Sequence, residues 1–297
     1  MKSYLDCIPC FLRQAIEAAR NVTADGSIQE GIVRDVLRMT AELNLDRPPP
    51  FVGQQIHRRL RKMTGVTDPY RAAKEHFNRL AMDALPEFRV AVRRANDPLL
   101  AAATYAVAAN AIDMGISGAH TTPDVGAALK QADDGALLGD WGNFRAAVAD
   151  ASDILYLADN AGEIAIDRLL VEELGCERVT LAVRGAPVLN DATMEDAIEV
   201  GMQDIVEVID NGSDAPGTIL SDCSESFRQR FNNAGLIIAK GQGNFETLSN
   251  AEGNLIFLFK VKCPVISRHV GLPLGTLALI RKEGSQPLHH PRRLNRP

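Results

Sequence analysis

Residues 154–163 read Ile154-Leu155-Tyr156-Leu157-Ala158-Asp159-Asn160-Ala161-Gly162-Glu163, five apolar residues running straight into a polar, glycine-containing turn. A run that is apolar at every position, rather than at alternate ones, suits a parallel strand covered on both faces. Similar runs follow at Val179–Val183, Ile205–Ile209, Leu236–Ala239 and Leu255–Val261. Helical periodicity fills the intervals, at Ile164–Leu174, Thr193–Val200, Ser224–Asn233 and Phe245–Ala251. Strands alternating with helices predict a doubly wound, mostly parallel α/β/α sheet of Rossmann-like type.

Upstream the character is helical. Apolar residues recur as Ile8, Phe11, Leu12, Ala15, Ile16 and Ala19, one face of a helix, with Pro9 in its first turn. Further helices are expected at Gly31–Leu43, Gly53–Thr64, Tyr70–Ala84, Phe88–Ala95 and Pro98–Ile112, separated by turn signals such as Asp25-Gly26 and Asn96-Asp97-Pro98. No strand is expected before residue 150. The organisation predicted is a helical subdomain over 1–149, a cap on an α/β domain over 150–282, and a loose tail over 283–297 that is rich in Pro, Arg and His.

Composition narrows the partners. The 297 residues carry 32 Lys+Arg against 38 Asp+Glu, a formal charge of −6. An acidic chain is poorly suited to nucleic acid or an anionic membrane, so neither is expected as a partner. The Ala-rich stretch Leu99–Ile112 is broken by Thr104 and Asn110, too short for a span, and the N-terminal segment has no signal-type hydrophobic region. Five cysteines, an odd and sparse set, exclude a disulfide scaffold and point to a reducing cytoplasm.

Ligands of open parallel sheets bind outside the carboxyl ends of the strands. Asp159, Asn160 and Glu163 follow the first expected strand; Arg184, Gly185, Asn190 and Asp191 follow the second. Residues 210–218 follow the third, and Lys240-Gly241-Gln242-Gly243-Asn244 the fourth. Asp159, Asn160 and Asp191 offer only oxygen, which suits a hard divalent ion such as Mg²⁺ or Mn²⁺ rather than zinc. Asp and Asn at such places equally suit helix caps. Lys240 beside Gly241 and Gly243 has the composition of a phosphate cradle at a helix start, though neither a P-loop nor a dinucleotide fingerprint is present. Cys7 and Cys10, with Cys263, are a candidate thiol site, although three buried apolar thiols would account for them equally. His57, His76 and His269 show no metal-binding spacing, and no Gly-x-Ser-x-Gly elbow occurs.

The blocks 159–163 and 240–246, with Cys7-x-x-Cys10, Asp68-Pro69-Tyr70, Asn110-Ala111-Ile112-Asp113 and Lys262-Cys263-Pro264-Val265-Ile266, resemble the damage-control, metal-dependent phosphatases catalogued as domain of unknown function 89. They look like its stand-alone prokaryotic branch with an N-terminal Cys-x-x-Cys, over residues 1–280. The resemblance implies a divalent metal (Mg, Mn, Co or Ni) held by Asp159, Asn160 and Asp191, and a phosphate-binding Lys240. It also implies that Asn110 and Asp113 reach the substrate from the helical subdomain. The activity implied is hydrolysis of small phosphorylated metabolites such as sugar phosphates. With Glu163, Arg184, Gly241, Gln242, Gly243 and Asn244 lining the phosphate site, the expected reaction is attack of water on the phosphoryl group. A haloacid-dehalogenase-type nucleophile at Asp159 is disfavoured, because Ala161 stands where the second Asp of Asp-x-Asp belongs. The other classes considered are a non-catalytic binder of phosphorylated ligands or nucleotides, and a thiol or iron–sulfur sensor on Cys7, Cys10 and Cys263.

Overall fold

A computed structural model describes residues 1–109 and 137–282 of the chain. Six strands form one sheet: β1 (Ile154–Leu157), β2 (Val179–Val183), β3 (Glu207–Asp210), β4 (Leu236–Lys240), β5 (Leu255–Lys260) and β6 (Leu277–Lys282). Their order is β3-β2-β1-β4-β5-β6. All neighbours are parallel except β5 and β6, which pair antiparallel. The fold is therefore the doubly wound α/β class, and the chain reverses its direction of travel across the sheet between β1 and β4.

Successive side chains of a strand point to opposite faces, and the core divides accordingly. Ile154 and Tyr156 of β1 face one hydrophobic layer, built from α4 (Arg71–Arg94), α5 (Pro98–Ala108), α6 (Trp141–Asp150), α7 (Glu163–Leu174) and α8 (Met194–Glu199). Leu155 and Leu157 face the other layer, with α9 (Glu225–Asn233), α10 (Gly241–Leu248) and α11 (Pro264–Val270). The first three helices, α1 (Ile8–Val22), α2 (Gly26–Ala41) and α3 (Pro49–Thr64), bury Phe11, Val36, Val52 and Ile56 together with Val265. Among the described residues no helix is long and apolar enough to cross a membrane.

Some elements depart from the sequence expectation. Two helices expected on either side of Pro86 are one, α4, with Pro86 inside it. An interior proline costs about 3 kcal/mol, but Leu85, Phe88 and Val92 are all buried along that helix, at roughly 1.5–3 kcal/mol each. Continuity therefore wins. The antiparallel edge strand β6, α6 and α11 were not expected, and β3 begins two residues later than its apolar run. Most consequential, α10 starts at Gly241 directly off β4, so Gly241-Gln242-Gly243 is a helical first turn rather than a free loop.

Phe245 anchors the second layer, edge-on to Phe257 at 5.2 Å and tilted over Phe259 at 4.8 Å between ring centroids. Phe245→Ala should lower stability by about 3–5 kcal/mol. A urea titration would read this as a lower midpoint with an unchanged slope.

Candidate active site

The reversal between β1 and β4 opens a crevice at the carboxyl ends of the strands. Asp159 and Asn160 leave β1 there, Arg184 leaves β2, Lys240 ends β4 and Lys262 follows β5. A short backbone pairing beyond the strand ends brings the acidic groups together. Ala161 N–H donates to the Asn190 carbonyl at 2.8 Å and Ala192 N–H to the Asp159 carbonyl at 2.8 Å, leaving Asn160 opposite Asp191. Leu189 turns the chain into this pairing with φ 48°, a left-handed conformation uncommon for a residue with a Cβ.

The side chains here are buried and charged. Asp159, Glu163, Asp167, Asp191, Arg184 and Lys240 are all less than 9% exposed. The Asn160 amide nitrogen donates to Asp159 Oδ2 (2.9 Å) and Glu163 Oε2 (3.2 Å). Arg184 Nε donates to Asp191 Oδ2 at 2.7 Å, while its Nη1 reaches Thr218 Oγ1 (3.4 Å) and Asn244 Oδ1 (3.3 Å). Its Nη2 is buried with no hydrogen-bond acceptor, 3.8 Å from Asp159 Oδ1.

Burial pushes the Asp159 carboxyl well above the ordinary range, and the nearby Glu163 and Asp191 carboxylates push it further. Lys262 and Arg184 oppose that rise. Burial likewise lifts Asp167 to about 6 against the pull of Lys240. Four carboxylates thus share the site with two buried cations. An excess of two negative charges and an all-oxygen donor set fit a hard divalent cation with open positions for water and substrate, whereas the orphaned guanidinium nitrogen, a donor, suits an anion beside it. Among the described residues, no group of three or more His, Cys, Asp or Glu side chains makes a metal site by itself. The fit therefore rests on Asp159, Asp191 and the Asn160 amide.

Several residues stand elsewhere than the sequence suggested. Lys240 does not present its ammonium to the crevice. All three of its protons have acceptors, Glu163 Oε1 (2.5 Å), Asp167 Oδ1 (2.5 Å) and the Ala106 carbonyl (2.9 Å). Burial alone would lower its pKa, but Asp167 and Glu163 hold it above the ordinary value. Gly243 has no room for a side chain because the Pro216 carbonyl lies 2.4 Å from where a Cβ would stand, so packing accounts for it. Gln242 turns away, donating to Glu246 Oε1 (2.8 Å) and Cys263 Sγ (3.7 Å) and accepting from Lys262 N–H (3.2 Å). Asn244 braces the site: its amide nitrogen donates to the Ala158 and Lys240 carbonyls, and its oxygen receives Thr218 and Arg184. Gly241, by contrast, lies against the acidic group. With φ +80°, its Cβ would fall 1.9 Å from Asp159 Oδ2. Asn110 and Asp113 lie outside the described residues.

Cys7 and Cys263 pack in one hydrophobic cluster, Cys10 is exposed, and all five cysteines are free. Burial raises the Cys7 and Cys263 thiols, which disfavours their thiolates. Sequence reasoning passed over Asp167 and Lys262 as site residues and had Thr218 only among the residues that follow the third strand. Lys262 was within reach of the rule that found the others, because it follows the carboxyl end of a parallel strand.

A family model described as the damage-control phosphatase ARMT1-like domain matches residues 3–277. A protein named damage-control phosphatase from Archaeoglobus fulgidus is 32% identical over 278 residues, covering 91% of this chain and 96% of that one. A second so named, from Pyrococcus horikoshii, is 32% identical over 298 residues, covering 95% and 99%. An uncharacterized protein of Methanocaldococcus jannaschii is 33% identical over 296 residues, covering 93% and 94%. The crystal structure of a DUF89 family protein from Pyrococcus horikoshii superposes with a TM-score of 0.84 at 30% identity, covering 95% of this chain and all of that one.

Gly241→Ala and Gly271→Ala make a matched pair. Both glycines have positive φ, but a Cβ at Gly271 meets nothing within 4 Å. Each substitution should cost about 1–2 kcal/mol of backbone strain. Only Gly241→Ala should also drive into Asp159, lowering kcat by at least about a hundredfold, given how sharply catalysis depends on ångström-scale placement. Thermal melts and turnover measured side by side check it.

Proposed function

The chain belongs to the damage-control phosphatase ARMT1-like family, and from that premise we propose that it is a phosphatase acting on small phosphorylated metabolites with a divalent cation. Asp159, Asn160 and Asp191 would hold that cation. Once bound, it supplies Lewis acidity and neutralises charge on the phosphoryl group. The observation that carries the reading is the buried excess of carboxylate beside the orphaned Arg184 Nη2.

The remaining work falls to the chain's own groups. Arg184, held by Asp191 and by Thr218 and Asn244, presents its free N–H to a phosphate oxygen and donates a charge-assisted hydrogen bond. Lys262 stands half-buried, and its charge, like that of Arg184, bears on Asp159. It supplies the rim cation that the sequence assigned to Lys240. Lys240 instead neutralises Glu163 and Asp167 and so sets the field in which Asp159 works. The backbone of Gly241 closes one side of Asp159. We read the reaction as direct attack by water rather than by Asp159, since Ala161 stands where a partner acid for a phospho-aspartyl intermediate would be needed. The relatives' names give phosphatase activity in general; sugar phosphates and related esters are the substrate class proposed here. The five free cysteines suit a reducing cytoplasm.

Chelation should abolish turnover of generic phosphomonoesters, and Mg²⁺, Mn²⁺, Co²⁺ or Ni²⁺ should restore it. Asp159→Ala should stay inactive under every cation. Turnover that survives chelation would remove the metal from the reading.

The two lysines separate by their failure modes. Lys240→Met leaves two buried carboxylates without their cation and should cost about 3–5 kcal/mol of stability. Lys262→Met should leave the melting temperature near wild type and raise KM about 10–100-fold, the worth of one charge-assisted hydrogen bond. Thermal melts and steady-state kinetics on the two variants distinguish the roles.

A further inference from the structure

The groups assigned to the cation come from two separate segments, the turn after β1 and the loop after β2. Backbone pairing at 160 and 191 brings these segments side by side, and a second connection joins them through side chains. It starts on α4, outside the sheet. Asn78 is fully buried there, and its Oδ1 accepts the Gly162 N–H at 2.7 Å, three residues beyond Asp159. Its amide nitrogen donates to Asp196 Oδ1 (3.1 Å) and Glu199 Oε2 (2.7 Å). Asp196 in turn receives, on Oδ2, the Thr193 N–H (2.8 Å), the Thr193 hydroxyl (2.7 Å) and Lys74 Nζ (2.9 Å). Thr193 lies two residues beyond Asp191 and pairs with Arg184. A continuous strut therefore runs Gly162–Asn78–Asp196–Thr193, tying the Asp159 turn to the Asp191 loop.

Nothing about packing requires polar groups at these places. A buried amide and carboxylate are expensive to desolvate, and apolar residues of similar volume would fill the space at lower cost. What the polar pair adds is direction: each hydrogen bond fixes a distance and an angle between two loops. Each of the three Asn78 side-chain hydrogen bonds ends either on one of those loops or on α8, which continues from the second. Partners that orient metal-binding groups typically change metal affinity by 10–100-fold when removed.

We propose that Asn78 and Asp196 are positioning residues that set the separation of the Asp159–Asn160 turn from Asp191, and hence the affinity for the divalent cation. The inference rests on the assignment of that cation to Asp159, Asn160 and Asp191. It predicts that α4, a helix with no group at the reacting centre, tunes metal binding.

The test is calorimetric titration of Mn²⁺ into the chelator-treated full chain, with the Mn²⁺-induced rise in melting temperature as a second readout. Asn78→Ala and the isosteric Asn78→Asp should bind Mn²⁺ about 10–100-fold more weakly, with turnover recovering at saturating metal. Leu85→Ala, buried on the same helix and with no polar group to join the strut, should match their loss of stability and keep wild-type affinity. Asn78→Asp combined with Asp196→Asn and Glu199→Gln reverses the polarity of the strut at both of its acceptors while keeping an acceptor for Gly162, and should return affinity to within a few-fold of wild type. Wild-type affinity in Asn78→Asp, or no recovery in the triple variant, would overturn the proposal. The arm with Asp159→Ala separates the two failures. If it too binds Mn²⁺ normally, the metal assignment falls; if only it loses binding, the strut alone falls.

Discussion

Burying four carboxylates at one edge of a sheet against two buried cations leaves a charge that a low-dielectric interior does not tolerate. An uncompensated buried charge costs several kcal/mol, so the site has two ways to relieve itself. It can hold a proton, as the upward shift of Asp159 indicates, or it can take up a cation. Lys240 cannot resolve the excess, because its three protons are already placed on Glu163, Asp167 and the Ala106 carbonyl. The carboxylates nearest the crevice, Asp159 and Asp191, are left with Arg184 and the half-buried Lys262 as nearby positive charge. Glu163 and Asp167, one turn apart on α7, anchor the inner half of this arrangement; the β1 turn and the 190–192 pairing hold the outer half.

A site under that strain needs its loops held from outside, and the N-terminal helices do so. From α3, Gln54, Arg58 and Arg61 converge on Asp214, and Arg61 also reaches the Pro187 carbonyl. From α4, Lys74 and Asn78 converge on Asp196. The loops after β2 and β3 are thereby clamped to helices that precede them by more than a hundred residues in the chain. Groups placed on rigid supports reach catalytic precision more readily than groups on free loops. The helical segment is thus part of the site's architecture even where it contributes no reacting atom.

What could be read from the sequence follows from these physical demands. Strands β1, β2, β4 and β5 were legible because burial on both faces makes every position apolar. Strand β3, half exposed along its length, gave only a blurred start, and β6, the antiparallel edge, has an apolar run over residues 277–280 that the sequence reading passed over. The nearness of Asp159, Asn160 and Asp191 was legible from their places after strand ends, where topology alone brings residues together. Lys240 beside two glycines has the composition of an anion cradle, but its ammonium is bonded to acidic partners instead. Its true partners, Glu163 and Asp167, sit 77 and 73 residues away and follow a different strand. Asn78 was beyond reach for the same reason. A buried Asn on an amphipathic helix looks like any polar position until its partners 84 and 118 residues downstream are in place.

Two cations near one acidic centre divide the labour by burial. An ammonium with all protons committed cannot hydrogen-bond a ligand without breaking an existing contact, yet its charge still lowers the cost of every neighbouring negative group. A half-buried ammonium is less desolvated than a fully buried one, so setting an anion against it costs less. This separation resolves how a chain of net charge −6 can receive an anion at all. The acidity is concentrated inward, where Lys240 offsets part of it and a divalent cation would offset the rest. On the proposed reading, the crevice would meet an incoming phosphate with Arg184, Lys262 and the cation itself, positive where contact is made although the protein as a whole is not.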